Sequence, residues 1–104
     1  MIRSLNGKTP LVADSAWVSE AAYVVGDVVI SEGASIWPGV TIRADSARVT
    51  VGRDTAIQDN TVIHCDDPLT IGDGVLIGHA VVMHCKSIGH GAHIGNNATV
   101  LDEV

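Results

Sequence analysis

Three histidines stand at a spacing that allows a metal site. His64 and His84 each directly follow a large aliphatic residue, Ile63 and Met83, and His79 stands five residues before His84. Because a bond from zinc to an imidazole nitrogen is only about 2.0–2.1 Å long, two histidines can share one ion when the fold holds them about 5 Å apart. Whether they do so depends on the elements that carry them.

Aliphatic residues recur along the chain every six positions. The series begins at Val12, resumes after three extra residues at Val51 and after two more at Ile71, and resumes one residue early at Ile88. The fourth residue after each member is small, with the exception of Asp67. A helix needs a period of 3.6, whereas a period of six suits a solenoid of short parallel strands with aliphatic residues inside and small residues at tight corners.

The composition agrees with such a core and excludes several functions. Val and Ile together supply 25 of the 104 residues, and only Trp17, Tyr23 and Trp37 are aromatic. The net charge of −6 argues against nucleic-acid binding. No apolar run approaches the roughly 20 residues of a membrane span, and residues 1–8 lack the apolar core of a signal peptide. The sequence therefore predicts a cytoplasmic protein without nucleic-acid or membrane partners.

The six-residue pattern resembles the hexapeptide repeat of left-handed parallel β-helices, in which three hexads make one triangular coil. That resemblance implies the handedness and a prism of about five coils. The predicted fold is all-β, with one domain over residues 1–104, a lead-in at residues 1–11 and repeats at residues 12–104. The first face is led by Val18, Ile36, Ile57, Ile77 and Ile94, the second by Val24, Ile42, Ile63, Met83 and Val100, and the third by Val12, Ile30, Val51, Ile71 and Ile88.

These faces separate the histidines into two groups. On the second face, the residue after the aliphatic is Arg43, His64 and His84 in successive coils, so the two imidazoles stack about 4.8 Å apart and can reach one ion. On the first face, the second residue after the aliphatic is Asp59 and then His79. His79 points outward from another face of its own prism, so a neighbouring prism has to bring it to the site. Three prisms around a threefold axis would close three such sites.

Cysteines directly follow the two stacked histidines. Cys65 and Cys85 stack as the histidines do, and without a secretory signal we expect reduced thiols rather than a disulfide. Their position makes them a competing, minor pair of metal ligands.

Three segments together resemble the γ-class carbonic anhydrases and their close relatives, and the resemblance covers nearly the whole chain. They are IWPGVTIRAD at residues 36–45, IQDNTVIH at residues 57–64 and IGHAVVMH at residues 77–84. The resemblance implies a homotrimer in which His64 and His84 of one subunit and His79 of its neighbour bind zinc. Three imidazoles would also suit iron or cobalt.

The same resemblance assigns roles to the residues around the ion. Arg43 and Asp45 match positions that form an intersubunit salt bridge, and Gln58 and Asp59 match positions near the metal-bound water. The implied reaction is the reversible hydration of CO2 to bicarbonate by metal-bound hydroxide, since three imidazoles leave zinc an open position and lower the pKa of its water to about 7. A proton must then be carried to solvent.

The chain departs from the family pattern at three points, two of which would weaken or abolish catalysis. Ser46 stands where active members carry Glu, and residues 65–70 replace a long acidic loop that carries the proton. Asp66 or Asp67 could take that role, although turn residues before a proline are the simpler interpretation. The family's C-terminal helix is missing, since the sequence stops at Val104 inside a hexad, which indicates a truncated chain or a short variant. Trimer packing or end-to-end association should then cover the last coil.

Two other functions remain open at this stage. A non-catalytic metal-binding or assembly trimer would keep the scaffold and the three histidines without proton transfer. A hexapeptide-repeat acyltransferase would share the fold and use an interfacial histidine as general base, but it would need a pantetheine-binding groove for which this chain has no room.

Overall fold

The computed structural model describes residues 1–102, which fold into short parallel strands joined by turns. These residues contain no helix, and therefore none long and apolar enough to cross a membrane. The strands are β1 Ile2–Arg3, β2 Leu11–Val12, β3 Trp17–Val18, β4 Tyr23–Ile30, β5 Ser35–Ile36, β6 Thr41–Val51, β7 Ala56–Ile57, β8 Val62–His64, β9 Leu69–Ile71, β10 Leu76–Ile77, β11 Val82–Met83, β12 Ser87–Ile88, β13 His93–Ile94 and β14 Thr99–Val100.

The hexads stack in the register that the sequence predicts. The second face joins β4, β6, β8, β11 and β14, and its leading residues pair directly from Val24 to Val100. The first face joins β3, β5, β7, β10 and β13, while β2, β9, β12 and the second halves of β4 and β6 form the third. The lead-in adds β1 beside β4. The predicted all-β parallel β-helix of about five coils is confirmed.

The core is a column of aliphatic side chains inside the prism. The leading residues of the inner coils, such as Ile36, Ile57 and Ile77, are fully buried. Val12 and Val18 in the first coil are only partly buried, because an end coil has a neighbour on one side only. The branched aliphatics predicted to point inward therefore do so, and their burial is the main force that holds the coils together.

The corner after the second face differs from the prediction. The repeat predicted small corner residues at Ser46 and Ser87, with Asp67 as the exception, and all three positions are exposed. The buried small residues lie two positions earlier in each coil, at Ala44, Cys65 and Cys85. The repeat loses its six-residue spacing at this corner, so the chain turns inward sooner and then bulges outward. The corresponding position in the last coil, Val104, lies outside the described residues.

The largest of these bulges carries a charged side chain toward the second face. β4 and β6 pair evenly as far as Gly26 and Ala44, and the register then shifts so that Val28 pairs with Val49. Gly26 has a φ of +90°, and a Cβ at this position would collide with the Ala44 carbonyl oxygen, so the close approach requires glycine. The residues left unpaired in β6 include Asp45, which the bulge directs toward the neighbouring coil.

Thr61 closes a buried corner, and its hydroxyl group predicts a measurable stability effect. The hydroxyl donates to the Gly78 carbonyl at 2.7 Å and accepts from the Val81 N–H at 3.1 Å. Thr61→Val keeps the shape but leaves both backbone groups without this partner, so we expect a loss of about 1–3 kcal/mol in the free energy of unfolding. Urea unfolding at fixed protein concentration measures this loss. Thr61→Ser retains the hydroxyl and is the control. Equal stability of the two variants would contradict the role of the hydrogen bonds.

Candidate metal centre

Two histidines lie in van der Waals reach of each other on the second face. His64 ends β8 and pairs with Arg43 of β6, while His84 follows β11 and donates its backbone N–H to the Val100 carbonyl at 2.8 Å. The centroids of the two imidazole rings are 5.3 Å apart, and their side chains are 17% and 29% exposed. The strand register thus produces two partly shielded imidazoles that remain open to an ion from outside.

Carboxylates hold both rings in place. His64 Nε2 lies 2.9 Å from Asp45 Oδ1, and His84 Nδ1 contacts Asp102 Oδ1. A carboxylate partner of this kind orients a ligating imidazole and raises its basicity. His84 keeps Nε2 available, and an ion at His64 either binds Nδ1 or replaces Asp45.

The donor atoms on this face fit a divalent metal ion. Ligand atoms of His64, Asp66 and His84 all lie within 4.8 Å of one another, and the same holds for Cys65, His84 and Asp102. Imidazole nitrogen, carboxylate oxygen and thiolate sulfur are the donors that zinc takes in proteins, and imidazoles also bind iron and cobalt. The first set lies at the surface, whereas the second includes a buried thiol.

The electrostatics of the cluster favour a charged Asp45 and a protonated His84. Partial desolvation raises the pKa of Asp45, but the hydrogen bond to His64 and the positive charge of Arg43 outweigh it and bring that pKa below its usual value. The hydrogen bond to Asp102 raises the pKa of His84 above that of a free imidazole, against some desolvation. A metal ion that binds His84 has to displace a proton, so the affinity of the site for the ion rises with pH.

The cysteines are core residues as well as neighbours of the site. Cys65 and Cys85 are buried and free, with no disulfide between them. Burial raises the pKa of the Cys85 thiol, and the nearby Cys65 adds to this rise. Since a metal binds the thiolate form, this shift disfavours Cys85 as a ligand. Of the two cysteines, Cys65 is the one that belongs to a group of potential donors, together with His84 and Asp102.

His79 lies outside the cluster formed by the other two histidines. It follows β10 at the corner beyond the first face, and its side chain is 53% exposed. Its Nε2 lies 3.7 Å from Asp59 Oδ1, while Asn96 Oδ1 accepts from its backbone N–H at 2.8 Å and lies 3.1 Å from its Nδ1. Neither potential metal-binding group found within residues 1–102 includes His79.

The remaining predicted site residues divide between the same two places. Gln58 and Asp59 come directly after β7, so they lie on the His79 side of the prism. Arg43 and Asp45 lie on the His64 side, with Arg43 Nε 3.5 Å from Asp45 Oδ2 inside one chain. The intersubunit salt bridge between these two residues stays a prediction.

Two contacts of His84 and one of His79 were not expected from the sequence. Asp102 and Asn96 were not singled out, and Asp66 was considered only as a proton carrier. Asp102 and Asn96 each lie in the coil after the histidine that they contact, two residues after a leading aliphatic. A comparison of the polar residues at this offset in neighbouring coils would have predicted the contacts of Asp102 and Asn96.

Comparison with known proteins gives the relatives of the chain. No family model matches it. A carbonic anhydrase of Geobacillus kaustophilus is 41% identical over 104 residues, covering 98% of this chain and 57% of that protein. The mitochondrial gamma carbonic anhydrase 2 of Arabidopsis thaliana is 41% identical over 105 residues, covering 93% of this chain and 38% of that protein. The crystal structure of a hexapeptide transferase family protein from Anaplasma phagocytophilum matches with a TM-score of 0.78 at 30% identity, covering 97% of this chain and 75% of that one.

The match to the Anaplasma protein shows the family: the chain belongs to the hexapeptide transferase family. The resemblance to γ-class carbonic anhydrases, predicted from three segments, is confirmed by these two relatives, one named carbonic anhydrase and the other gamma carbonic anhydrase. The chain spans 57% and 38% of the length of those two relatives.

Proposed function

We propose that this chain is a zinc-dependent carbonic anhydrase that works as a homotrimer, with one metal site at each subunit interface. The observation that carries the proposal is the separation of the histidines within one chain. His64 and His84 lie together on the second face, while His79 projects from a different edge of the prism. The relatives named carbonic anhydrase support the reaction assigned to this arrangement.

Exposed apolar residues beside the histidines support an interface on the second face. Tyr23, Val62 and Val82 precede the leading aliphatics of that face and are all exposed. Val62 and Val82 pair directly in adjacent strands, so they form a continuous strip next to His64 and His84. An exposed apolar strip of this kind is typical of a docking surface, and a second copy of the chain would cover it while bringing His79 to the ion.

The residues of each subunit have separate tasks in this proposal. His64 and His84 of one subunit and His79 of its neighbour would hold the divalent ion as neutral imidazoles, and the ion would supply a nucleophile for CO2 near neutral pH by lowering the pKa of water to about 7. Asp45 and Asp102 hold the rings of His64 and His84. Gln58 and Asp59 arrive from the neighbouring subunit with His79 and accept or donate hydrogen bonds around the substrate. Arg43 keeps Asp45 charged and positioned.

A metal-binding trimer without catalysis is the second candidate. The segment between β8 and β9 spans only residues 65–68, so the site has no long acidic loop beside it to carry protons away. Such a protein would bind the same metal but hydrate CO2 no faster than the free ion. The cytoplasmic location stays a prediction, and the Arabidopsis relative is mitochondrial by name.

Removal and return of the metal test the proposed reaction. We expect a strong chelator to lower CO2 hydration by the purified protein at least about 100-fold, because the ion supplies the nucleophile. Zinc added back, or cobalt or iron in its place, should restore the rate, and stopped-flow measurement with a pH indicator follows it. Full metal occupancy without hydration would favour the non-catalytic trimer. Transfer of an acetyl group from acetyl-CoA by the metal-free protein would favour an acyltransferase.

A further inference from the structure

Asp66 lies close enough to His64 and His84 to be a third metal ligand from the same chain. Its Oδ2 lies 3.9 Å from His84 Nε2, the ring nitrogen that Asp102 leaves open. One carboxylate oxygen of Asp66 and one nitrogen each of His64 and His84 lie within 4.8 Å of one another. The side chain is 74% exposed, so it can rotate toward the rings without disturbing the core.

We propose that each subunit carries a complete metal site of its own, made by His64, His84 and Asp66, and that assembly replaces Asp66 with the neighbour's His79. The inference rests on the proposed function for the role of His79. It assigns to Asp66 the binding of a divalent transition metal before or without assembly.

No two of these three donor atoms are more than 4.8 Å apart, so no pair has to close by more than about 1.4 Å. With bonds of about 2.1 Å, two ligand atoms on a tetrahedral ion are about 3.4 Å apart. The 3.9 Å between Asp66 and His84 is close to this value, and the exposed Asp66 can make up the difference by rotation. Two imidazoles and one carboxylate form a set that binds zinc in enzymes and also suits ferrous iron.

The neighbouring residue Asp67 separates this role from a general effect of charge. Asp67 follows Asp66 directly and is similarly exposed, but its carboxylate lies 3.9 Å from the Lys86 ammonium and belongs to neither group of metal donors. A substitution at Asp67 removes the same charge from the same turn without removing a donor near His84. It is therefore the matched control for Asp66.

The exchange of ligands predicts that Asp66 matters only when His79 is absent. The experiment titrates Co2+ into metal-free protein and follows binding by calorimetry and visible absorption. Asp66→Asn in the otherwise unchanged chain should bind one Co2+ per subunit with nearly unchanged affinity, since His79 of the neighbour completes the site. His79→Ala should still bind one Co2+ per subunit through Asp66, although more weakly.

The double variants decide the question. His79→Ala with Asp66→Asn should bind Co2+ at least about 100-fold more weakly than His79→Ala alone, because loss of a direct ligand exceeds the 10- to 100-fold cost of losing an orienting partner. His79→Ala with Asp67→Asn should match His79→Ala alone. Equal Co2+ affinity of the two double variants would overturn the inference, and so would a lack of Co2+ binding by His79→Ala. It would also be overturned if Asp66→Asn weakened Co2+ binding equally in the presence and absence of His79. Failure of the proposed function is distinct, because it appears as absent CO2 hydration by the metal-loaded unsubstituted chain.

Discussion

His84→Ala is expected to remove stoichiometric metal from the protein and to lower CO2 hydration at least about 100-fold. His84 is the one residue common to both groups of donors found within residues 1–102. Its ring faces His64 at 5.3 Å, and its two nitrogens lie near Asp102 and Asp66. No other side chain of the site has this central position, so its loss removes a ligand from the shared site and from the site within one subunit alike. Elemental analysis after dialysis measures the metal.

His93→Ala is the matched control for this prediction. His93 is a histidine of the same chain that lies on β13 and pairs with Leu76 on the first face, away from the second-face histidines. It should keep both the metal content and the rate of the unsubstituted chain. Metal bound at one ion per subunit by His84→Ala, with unchanged affinity, would show that the second face is not the metal site.

Val82→Glu is expected to separate the proposed trimer into single subunits. Val82 is the most exposed residue of the apolar strip and lies between Val62 in one neighbouring coil and Thr99 in the other. A carboxylate buried there at an interface loses its hydration without gaining a partner, which costs several kcal/mol and should weaken association at least about 100-fold. Sedimentation velocity at micromolar concentration measures the change. CO2 hydration should fall with it, because each site loses the neighbour's His79.

Leu11→Glu provides the control for the loss of an apolar surface residue. Leu11 is also exposed, but it belongs to β2 on the third face. This variant should sediment as the unsubstituted chain does. Dissociation by Leu11→Glu but not by Val82→Glu would place the interface on the third face and would separate it from the histidines.

The fold was predictable because the core repeats. Leading aliphatics such as Ile57 and Ile77 occupy the same inward position in adjacent coils. Their spacing in the sequence therefore gives the number of residues in each coil. The corner after the second face was mispredicted at Ser46 and Ser87, since extra or missing residues there change the path of the chain without changing the aliphatic register. The burial of the cysteines follows from that path rather than from the repeat.

The site was predictable only where it follows strand register. His64 and His84 approach each other because they hold equivalent places in stacked coils. Asp45 reaches His64 through a bulge, and Asp102 reaches His84 from a turn in the next coil, so both contacts depend on irregular backbone that spacing does not describe. The place of His79 depends on a neighbouring subunit and stays a prediction.

Mixing two inactive variants tests most directly whether the catalytic site is shared between subunits. His64→Ala and His79→Ala proteins are each expected to hydrate CO2 poorly, because every site in either trimer lacks one histidine. After the two are unfolded together and refolded in equal amounts, about one quarter of the interfaces join an intact His64 to an intact His79, by the symmetry of a ring. A site shared between subunits predicts recovery of about one quarter of the unsubstituted rate. Mixed trimers, verified by differently sized tags, that remain as inactive as their parents would contradict it.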